Sequence, residues 1–146
     1  MKRFLLTVTI TIAGGIPVAA RAQDAPVDSL ALARQYTQWL YAGEVDSLLA
    51  HSTEETRAQM TENGAFSRLS DMIAQNAGFE LEVSEETWKL RNGDCQYWRT
   101  AQFSEIEEPI LLRWVLDPEG KIEGIGAGPL TQAPVVESET CGPAPS

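Results

Sequence analysis

The sequence predicts an α+β fold in which N-terminal helices pack on a curved antiparallel sheet of about four strands. Apolar residues recur at helical spacing in residues 28–78, and they alternate with polar residues after that. Two tight turns, Asn92-Gly93 and Asp117-Pro118-Glu119-Gly120, join successive strand segments. Helices that precede an antiparallel meander are typical of the α+β class, because they can cover one face of the sheet.

The helical region divides into one long helix and three shorter ones. The first begins at Asp28 or Ser29 as the cap and ends at Gly43. Its apolar positions fall at i, i+4, i+7 and i+8, and they are Leu32, Tyr36, Trp39 and Leu40. The second helix contains Val45, Leu48 and Leu49. The third begins at the capping box Ser52-Thr53-Glu54-Glu55 and runs to about Met60. The fourth contains Phe66, Leu69 and Ile73, and it ends at Asn76 and Gly78.

The first two strands form a hairpin whose register follows from its turn. A two-residue Asn92-Gly93 turn predicts that Trp88 lies opposite Tyr97. Earlier in the same strand, apolar residues alternate with glutamates, which predicts that the apolar ones share a face and that a bulge precedes Trp88. These apolar residues are Phe79, Leu81 and Val83.

The last hairpin contains three alternate glycines in the segment ILLRWVLDPEGKIEGIGAGP. A three-residue loop after Asp117 predicts Leu116 opposite Ile122 and Trp114 opposite Gly124. Apolar matching to the preceding strand places Arg99 beside Trp114. Gly124, Gly126 and Gly128 would then leave space on the face that holds Trp114, to be filled by Tyr36 and Trp39 or left as a pocket. No helix is predicted after the glycines, so a phosphate-binding loop is not expected.

The N-terminus has the pattern of a secretory signal peptide. Lys2 and Arg3 precede a mostly apolar stretch at residues 4–12, and Ala20-Arg21-Ala22 fits a cleavage site. We expect a signal peptide at residues 1–22, a folded domain at 23–130 and a flexible tail at 131–146, with an uncleaved anchor as the alternative. Cleavage would leave no stable membrane span and a periplasmic or extracellular protein.

The composition is strongly acidic, with 21 acidic and 11 basic residues and a net charge of −10. Cleavage before Gln23 would leave 8 basic residues and a net charge of −13. A surface of this charge repels nucleic acid and anionic lipid, so neither is expected as a partner.

Two cysteines, Cys95 and Cys141, occur in the chain. In an exported protein they predict one disulfide that tethers the tail to a strand, with two thiols as the alternative. Together with the single histidine, His51, they do not make a metal site. No metal and no cofactor is therefore expected.

The helical run YAGEVDSLLAHSTEETRAQM and the strand segments CQYWRTAQF and ILLRWVLDPEGKIEGIGAGP resemble a domain-of-unknown-function family of exported bacterial proteins. That family has the nuclear transport factor 2-like, or cone, fold, and the resemblance covers residues 29–129. It implies a cone with a cavity between helices and sheet, and it carries no catalytic motif. The same superfamily is similar to small isomerases, dehydratases and cyclases that hold an acidic or histidine base in the cavity.

The predicted inner face offers candidate ligand-binding residues, namely Arg99, Tyr97, Trp114, Tyr36 and Trp39. Arg99 would either stack on Trp114 and pair with a carboxylate, or anchor an anionic or polar ligand. Acidic residues such as Glu80 are expected on outer faces or in loops, so no catalytic residue is assigned.

We therefore expect an exported non-catalytic domain that binds a small ligand or an envelope partner protein through the cone mouth or the sheet face. A small cavity enzyme and a structural accessory dimer are the alternatives. A partly apolar outer patch predicts a homodimer, with a monomer as the alternative. This patch contains Trp98, Leu111, Arg113 and Val115.

Overall fold

The computed structural model describes residues 28–141 and has an α+β fold, as predicted. The helices are α1 (Ser29–Ala42), α2 (Val45–Ala50), α3 (Glu54–Asn63) and α4 (Ala65–Met72), and a π-helical turn, Ile73–Ala77, continues α4. The strands β1 (Glu80–Arg91), β2 (Asp94–Phe103), β3 (Ile110–Leu116) and β4 (Ile122–Pro129) form one antiparallel sheet in the order β1-β2-β3-β4. The predicted signal peptide lies outside the described residues.

The helix boundaries follow from local capping chemistry. The Asp28 side chain accepts a hydrogen bond from the backbone N–H of Ala31 at 3.1 Å, which confirms it as the N-cap of α1. Gly43 ends α1 with a left-handed φ of 73°. Thr53 caps α3 by accepting from the N–H of Thr56 at 3.3 Å. The caps of α1 need only neighbouring residues, so they could be predicted from sequence. For α3 the predicted capping box between Ser52 and Glu55 is wrong, because the Ser52 hydroxyl donates to the carbonyl of Leu48 and Thr53 is the cap.

The core lies between α1, α4 and one face of the sheet, here called the inner face. Trp114 of β3 is fully buried, and its Nε1 donates to Thr37 Oγ1 at 3.0 Å. Its ring lies 5.8 Å from that of Tyr36 and 6.4 Å from that of Phe66, measured between centroids. The Tyr36 hydroxyl donates to the carbonyl oxygen of Gly120 at 2.6 Å. The helices therefore pack on the inner face around one indole.

The β1–β2 hairpin has the predicted register, with Trp88 opposite Tyr97. Nearer the start of β1, two register shifts interrupt the ladder, between Glu80 and Glu82 and between Val83 and Glu85. As a result Leu81 is 59% exposed. The prediction that its apolar residues share one packed face is wrong there, because each bulge adds a residue to one strand and moves the residues beyond it to the other face.

The β2–β3 register differs from the predicted one by two residues. Tyr97 pairs with Trp114 and Arg99 pairs with Leu112, so Arg99 does not lie opposite Trp114 as expected. The loop at residues 104–109 brings Ala101, rather than Phe103, opposite Ile110. The shift is even, so every side chain keeps its predicted face.

The β3–β4 register begins as predicted, with Leu116 opposite Ile122. A shift between Val115 and Leu116 then places Trp114 opposite Ile125 and Val115 opposite Gly124. The prediction that the glycines face Trp114 is therefore wrong. Because side chains alternate along a strand, a one-residue shift moves all three glycines to the outer face.

The C-terminal residues return over the outer face to the edge of β1. The N–H of Leu90 donates to the carbonyl of Ser138 at 3.0 Å, and the N–H of Glu137 donates to the carbonyl of Leu90 at 2.8 Å. Cys95 and Cys141 form a disulfide, as predicted, with a Cα–Cα distance of 5.8 Å. The tail therefore covers part of the outer face, where Trp98 is only 3% exposed.

The disulfide is expected to contribute strongly to stability. It links residues 46 positions apart, so the chain-entropy model gives about 4 kcal/mol. We expect the double variant Cys95→Ser, Cys141→Ser to have a free energy of unfolding that is lower by about 4 kcal/mol. It should therefore unfold at a lower urea concentration. Dithiothreitol should lower the stability of the natural protein to that of the variant and leave the variant unchanged. Equal midpoints for the oxidised protein and the variant would contradict the expectation.

Candidate functional site

The predicted inner-face site residues come together, but around a filled interior. Tyr36, Tyr97 and Trp114 are each 1% exposed or less. Trp39 is partly buried, with its ring centroid 5.8 Å from that of Tyr36. These four aromatic residues form core contacts, and their part in ligand binding stays a prediction.

Arg99, the fifth predicted site residue, is held by groups of the protein itself. Its guanidinium makes a two-pronged contact with Glu80, at 2.6 Å and 3.0 Å. Its Nη1 also donates to the Tyr97 hydroxyl at 3.2 Å and lies 3.4 Å from Glu86 Oε1. The side chain is 14% exposed, so its donors are used inside the protein. Of the two expected roles for Arg99, the pairing with carboxylates is the one that these contacts describe.

Glu86 is the second carboxylate of this inner-face ion-pair network. It accepts two hydrogen bonds from Arg34 of α1, at 2.7 Å and 2.9 Å, and one from the Tyr97 hydroxyl at 2.7 Å. Hydrogen bonding to Arg34 is the main cause that lowers the pKa of Glu86 to about 2. Burial raises the pKa of Tyr97 to about 12. The network thus holds two arginines against two glutamates.

The interpretation that Glu80 faces outward is wrong, and Glu86 was missed. Glu80 accepts a hydrogen bond from the Tyr41 hydroxyl of α1 at 3.0 Å, so it faces the helices. The first of the β1 bulges lies directly after it. For Glu86 a usable signal existed, because it lies two residues before Trp88, whose face the turn had already determined.

A cleft lies on the other side of the sheet, and we call it the outer cleft. It has a volume of about 490 Å³ and is bounded by α3 and by the outer face of β2, β3 and β4. Gly124 and Gly126 line it, together with Arg91, Arg113 and Gln96. Two of the three glycines singled out in the sequence, Gly124 and Gly126, therefore border this cleft and do not border the core indole.

Arg113 occupies the place that a side chain at Gly126 would need. The two residues are cross-strand partners, and a Cβ added at Gly126 would lie 2.7 Å from the guanidinium carbon of Arg113. The guanidinium also donates to Gln96 Oε1 at 3.2 Å and lies 5.6 Å from the centroid of the Trp98 ring. Gln96, Trp98 and Gly126 therefore position this partly buried side chain. Gly126 contributes because it has no side chain and leaves space for the guanidinium.

The two arginines of the outer cleft are not neutralised by the described part of the chain. Within residues 28–141, neither Arg91 nor Arg113 has a carboxylate oxygen within 4.0 Å. Burial, and then the charge of Arg91, lower the pKa of Arg113 below its ordinary value. For Glu123, which also lines the outer cleft, burial and neighbouring carboxylates raise the pKa. A guanidinium in this setting can bind an anionic group by donating two parallel hydrogen bonds to it.

No family model, curated protein or solved structure matches this chain. Within residues 28–141, no helix combines the length and apolar character needed to cross a membrane. The same residues contain no group of three or more histidine, cysteine, aspartate or glutamate side chains arranged to hold a metal ion.

The ion-pair network predicts a pH dependence of stability through Glu86. Its pKa is depressed in the folded protein, from an ordinary 4.5 to about 2, so its contribution is present above pH 4.5 and is lost as the pH falls towards 2. Because the Arg34 side chain is 53% exposed, solvent screens this interaction, and the contribution is on the order of 1 kcal/mol. We expect Glu86→Gln to lower the urea midpoint at pH 7 and to have a progressively smaller effect between pH 4.5 and pH 2. Glu62→Gln, which changes an exposed side chain, is the control. A constant difference across this range would contradict the assignment.

Proposed function

We propose that this chain is an exported, non-catalytic domain that binds a carboxylate-bearing ligand or partner in the outer cleft. The observation that carries the proposal is the placement of Arg113 over Gly126, without a carboxylate partner among the described residues. An anion in the cleft would restore the interactions that a partly buried guanidinium loses when it leaves water.

The charge balance of the chain supports this proposal. There are 21 acidic residues for 11 basic ones, and two other arginines, Arg34 and Arg99, do pair with carboxylates. A glycine inside a strand also costs roughly 0.5–1 kcal/mol relative to alanine. The placement of Arg113 on Gly126 is therefore accepted at some expense of stability, as is common at binding sites.

The alternative of a small cavity enzyme has less support. Both inner-face carboxylates, Glu80 and Glu86, are engaged by arginines, and the aromatic residues around them are packed together. The alternative of a structural dimer through the outer patch is weakened because the tail lies over Trp98.

Export and membership of the cone-fold family belong to the same proposal. The Cys95–Cys141 disulfide supports an oxidising compartment. The order of elements, with helices before an antiparallel meander and packed on one face, supports the nuclear transport factor 2-like cone.

A pair of matched glycine variants tests the binding site. Gly126→Ala would displace the Arg113 guanidinium, whereas Gly128→Ala adds the same methyl group two residues further on, with no described atom within 4 Å. The probe is N-acetylglycine, and the readout is the NMR resonance of Arg113 Nε–H during a titration. We expect saturable binding that Gly126→Ala weakens by about tenfold and that Gly128→Ala leaves unchanged.

Arg113→Gln provides the second variant, because it keeps a polar side chain and removes the charge. We expect it to abolish the response of the cleft amides to N-acetylglycine. Its free energy of unfolding should stay within about 1 kcal/mol of that of the natural protein. The proposal would be overturned if N-acetylglycine caused no saturable shift in the natural protein, or if it bound Arg113→Gln equally well.

A further inference from the structure

Within residues 28–141, the outward edge of β4 lacks a partner along most of its length. At its start, Ile122 exchanges backbone hydrogen bonds with His51 and Thr53, and the carbonyl of Glu123 accepts from the Thr56 hydroxyl. From residue 124 to residue 129, the backbone bonds only to β3 within the described part of the chain. A strand edge of this kind can accept another extended segment.

The opposite edge of the sheet, on β1, is protected. The tail bonds to the backbone of Trp88 and Leu90 at one end of that strand. The remainder of β1 contains two bulges and several glutamates, both of which discourage pairing with another strand. By contrast, residues 124–129 of β4 carry no charge, and their ladder to β3 has no register shift.

Two clefts border β4, one on each face of the sheet. The outer cleft meets the strand at Gly124 and Gly126. A second cleft of about 330 Å³, here called the apolar cleft, meets it at Ala127 and Pro129 and extends below α4 and the π-helical turn. Ala127 pairs with Leu112, whose side chain belongs to the core, so the apolar cleft opens on the inner face. Its other wall includes Leu69, Ile73, Ile106 and Ile110.

We propose that the partner of the outer cleft is an extended peptide segment that pairs with β4 as a fifth strand. One acidic side chain of the segment would bind Arg113 in the outer cleft, and a neighbouring apolar side chain would enter the apolar cleft. This inference rests on the proposed function and names its ligand class.

The geometry of a strand imposes a rule on that segment. Successive side chains point to opposite faces, so the acidic residue and the apolar residue must be an odd number of positions apart. An added strand would lie about 4.8 Å from β4. The Arg113 guanidinium already lies over Gly126 of that strand, on the outer face of the sheet.

The remaining charges of the outer cleft restrict the segment further. Glu55, Asp94 and Glu123 line the cleft as well as the two arginines. Several acidic residues in succession would therefore be repelled, whereas one acidic residue between uncharged neighbours can reach Arg113. The expected partner is a short, mostly uncharged β-forming segment with a single acidic side chain.

Two peptides of identical composition test the rule. The first is acetyl-Ser-Thr-Leu-Glu-Leu-Thr-Ser-amide, in which glutamate and leucine are adjacent. The second is acetyl-Ser-Leu-Thr-Glu-Thr-Leu-Ser-amide, in which they are two positions apart and share a face. By isothermal titration calorimetry with the oxidised natural protein, we expect the first to bind at least about tenfold more tightly. We expect the same loss when glutamine replaces the glutamate of the first peptide.

Two N-methylated versions of the first peptide test the backbone pairing. Each carries methyl groups on alternate amides, and the two differ in phase. Because only alternate amides of a strand face its neighbour, we expect one version to lose binding and the other to keep it. Equal binding of both versions, or equal binding of the two sequence orders, would overturn the inference.

The result also separates the two proposals. If N-acetylglycine binds through Arg113 while the two sequence orders bind equally, the outer cleft is an anion site and β4 pairing is wrong. If neither N-acetylglycine nor any of the peptides binds, the proposed function itself is wrong and the peptide inference falls with it.

Discussion

The burial of Trp114 is the interaction on which the two layers of this domain depend. Its indole is fully buried, contacts Tyr36 and Phe66 of two different helices, and donates its N–H to Thr37. A buried indole contributes its large apolar area only if its N–H also finds an acceptor. The side of α1 that carries Thr37 must therefore face β3. Once α1 is placed in this way, Arg34 and Tyr41 of the same helix reach the glutamates of β1.

Register shifts in the sheet determine which charges meet. The shift between Glu80 and Glu82 places Glu80 on the inner face, where it meets Arg99, whereas Glu86 lies on that face through the register of the hairpin turn and meets Arg34. The shift between Val115 and Leu116 carries the glycines of β4 to the outer face. Register shifts thus supply a carboxylate for Arg99 on the inner face and leave room for Arg113 on the outer one. A bulge changes the side of the sheet that a side chain occupies at the cost of little more than one ladder position.

The sequence signals that succeeded are those whose cause is local. The caps Asp28 and Gly43 and the Asn92-Gly93 turn each act within a few residues, so helix bounds and the first hairpin register could be predicted. No such rule applies to the long loop between β2 and β3, so the predicted β2–β3 register differs from the observed one by two residues. At the candidate site, Arg113 was recognised only as part of an outer patch. Its contact with Gly126 depends on the register shift between Val115 and Leu116, which no turn motif predicts.

By itself, the sequence determined the α+β class, the order of elements, the acidic charge and the presence of two cysteines; that the two cysteines lie within bonding distance was decided by the fold. The features that the sequence determined depend on composition, on hydrophobic period and on turns that span a few residues. Only the tertiary structure decided which arginines pair with glutamates, as Arg34 and Arg99 do, and which do not within residues 28–141, as is the case for Arg113. Those choices depend on the face that each strand residue occupies, and a single additional residue in a ladder reverses that face.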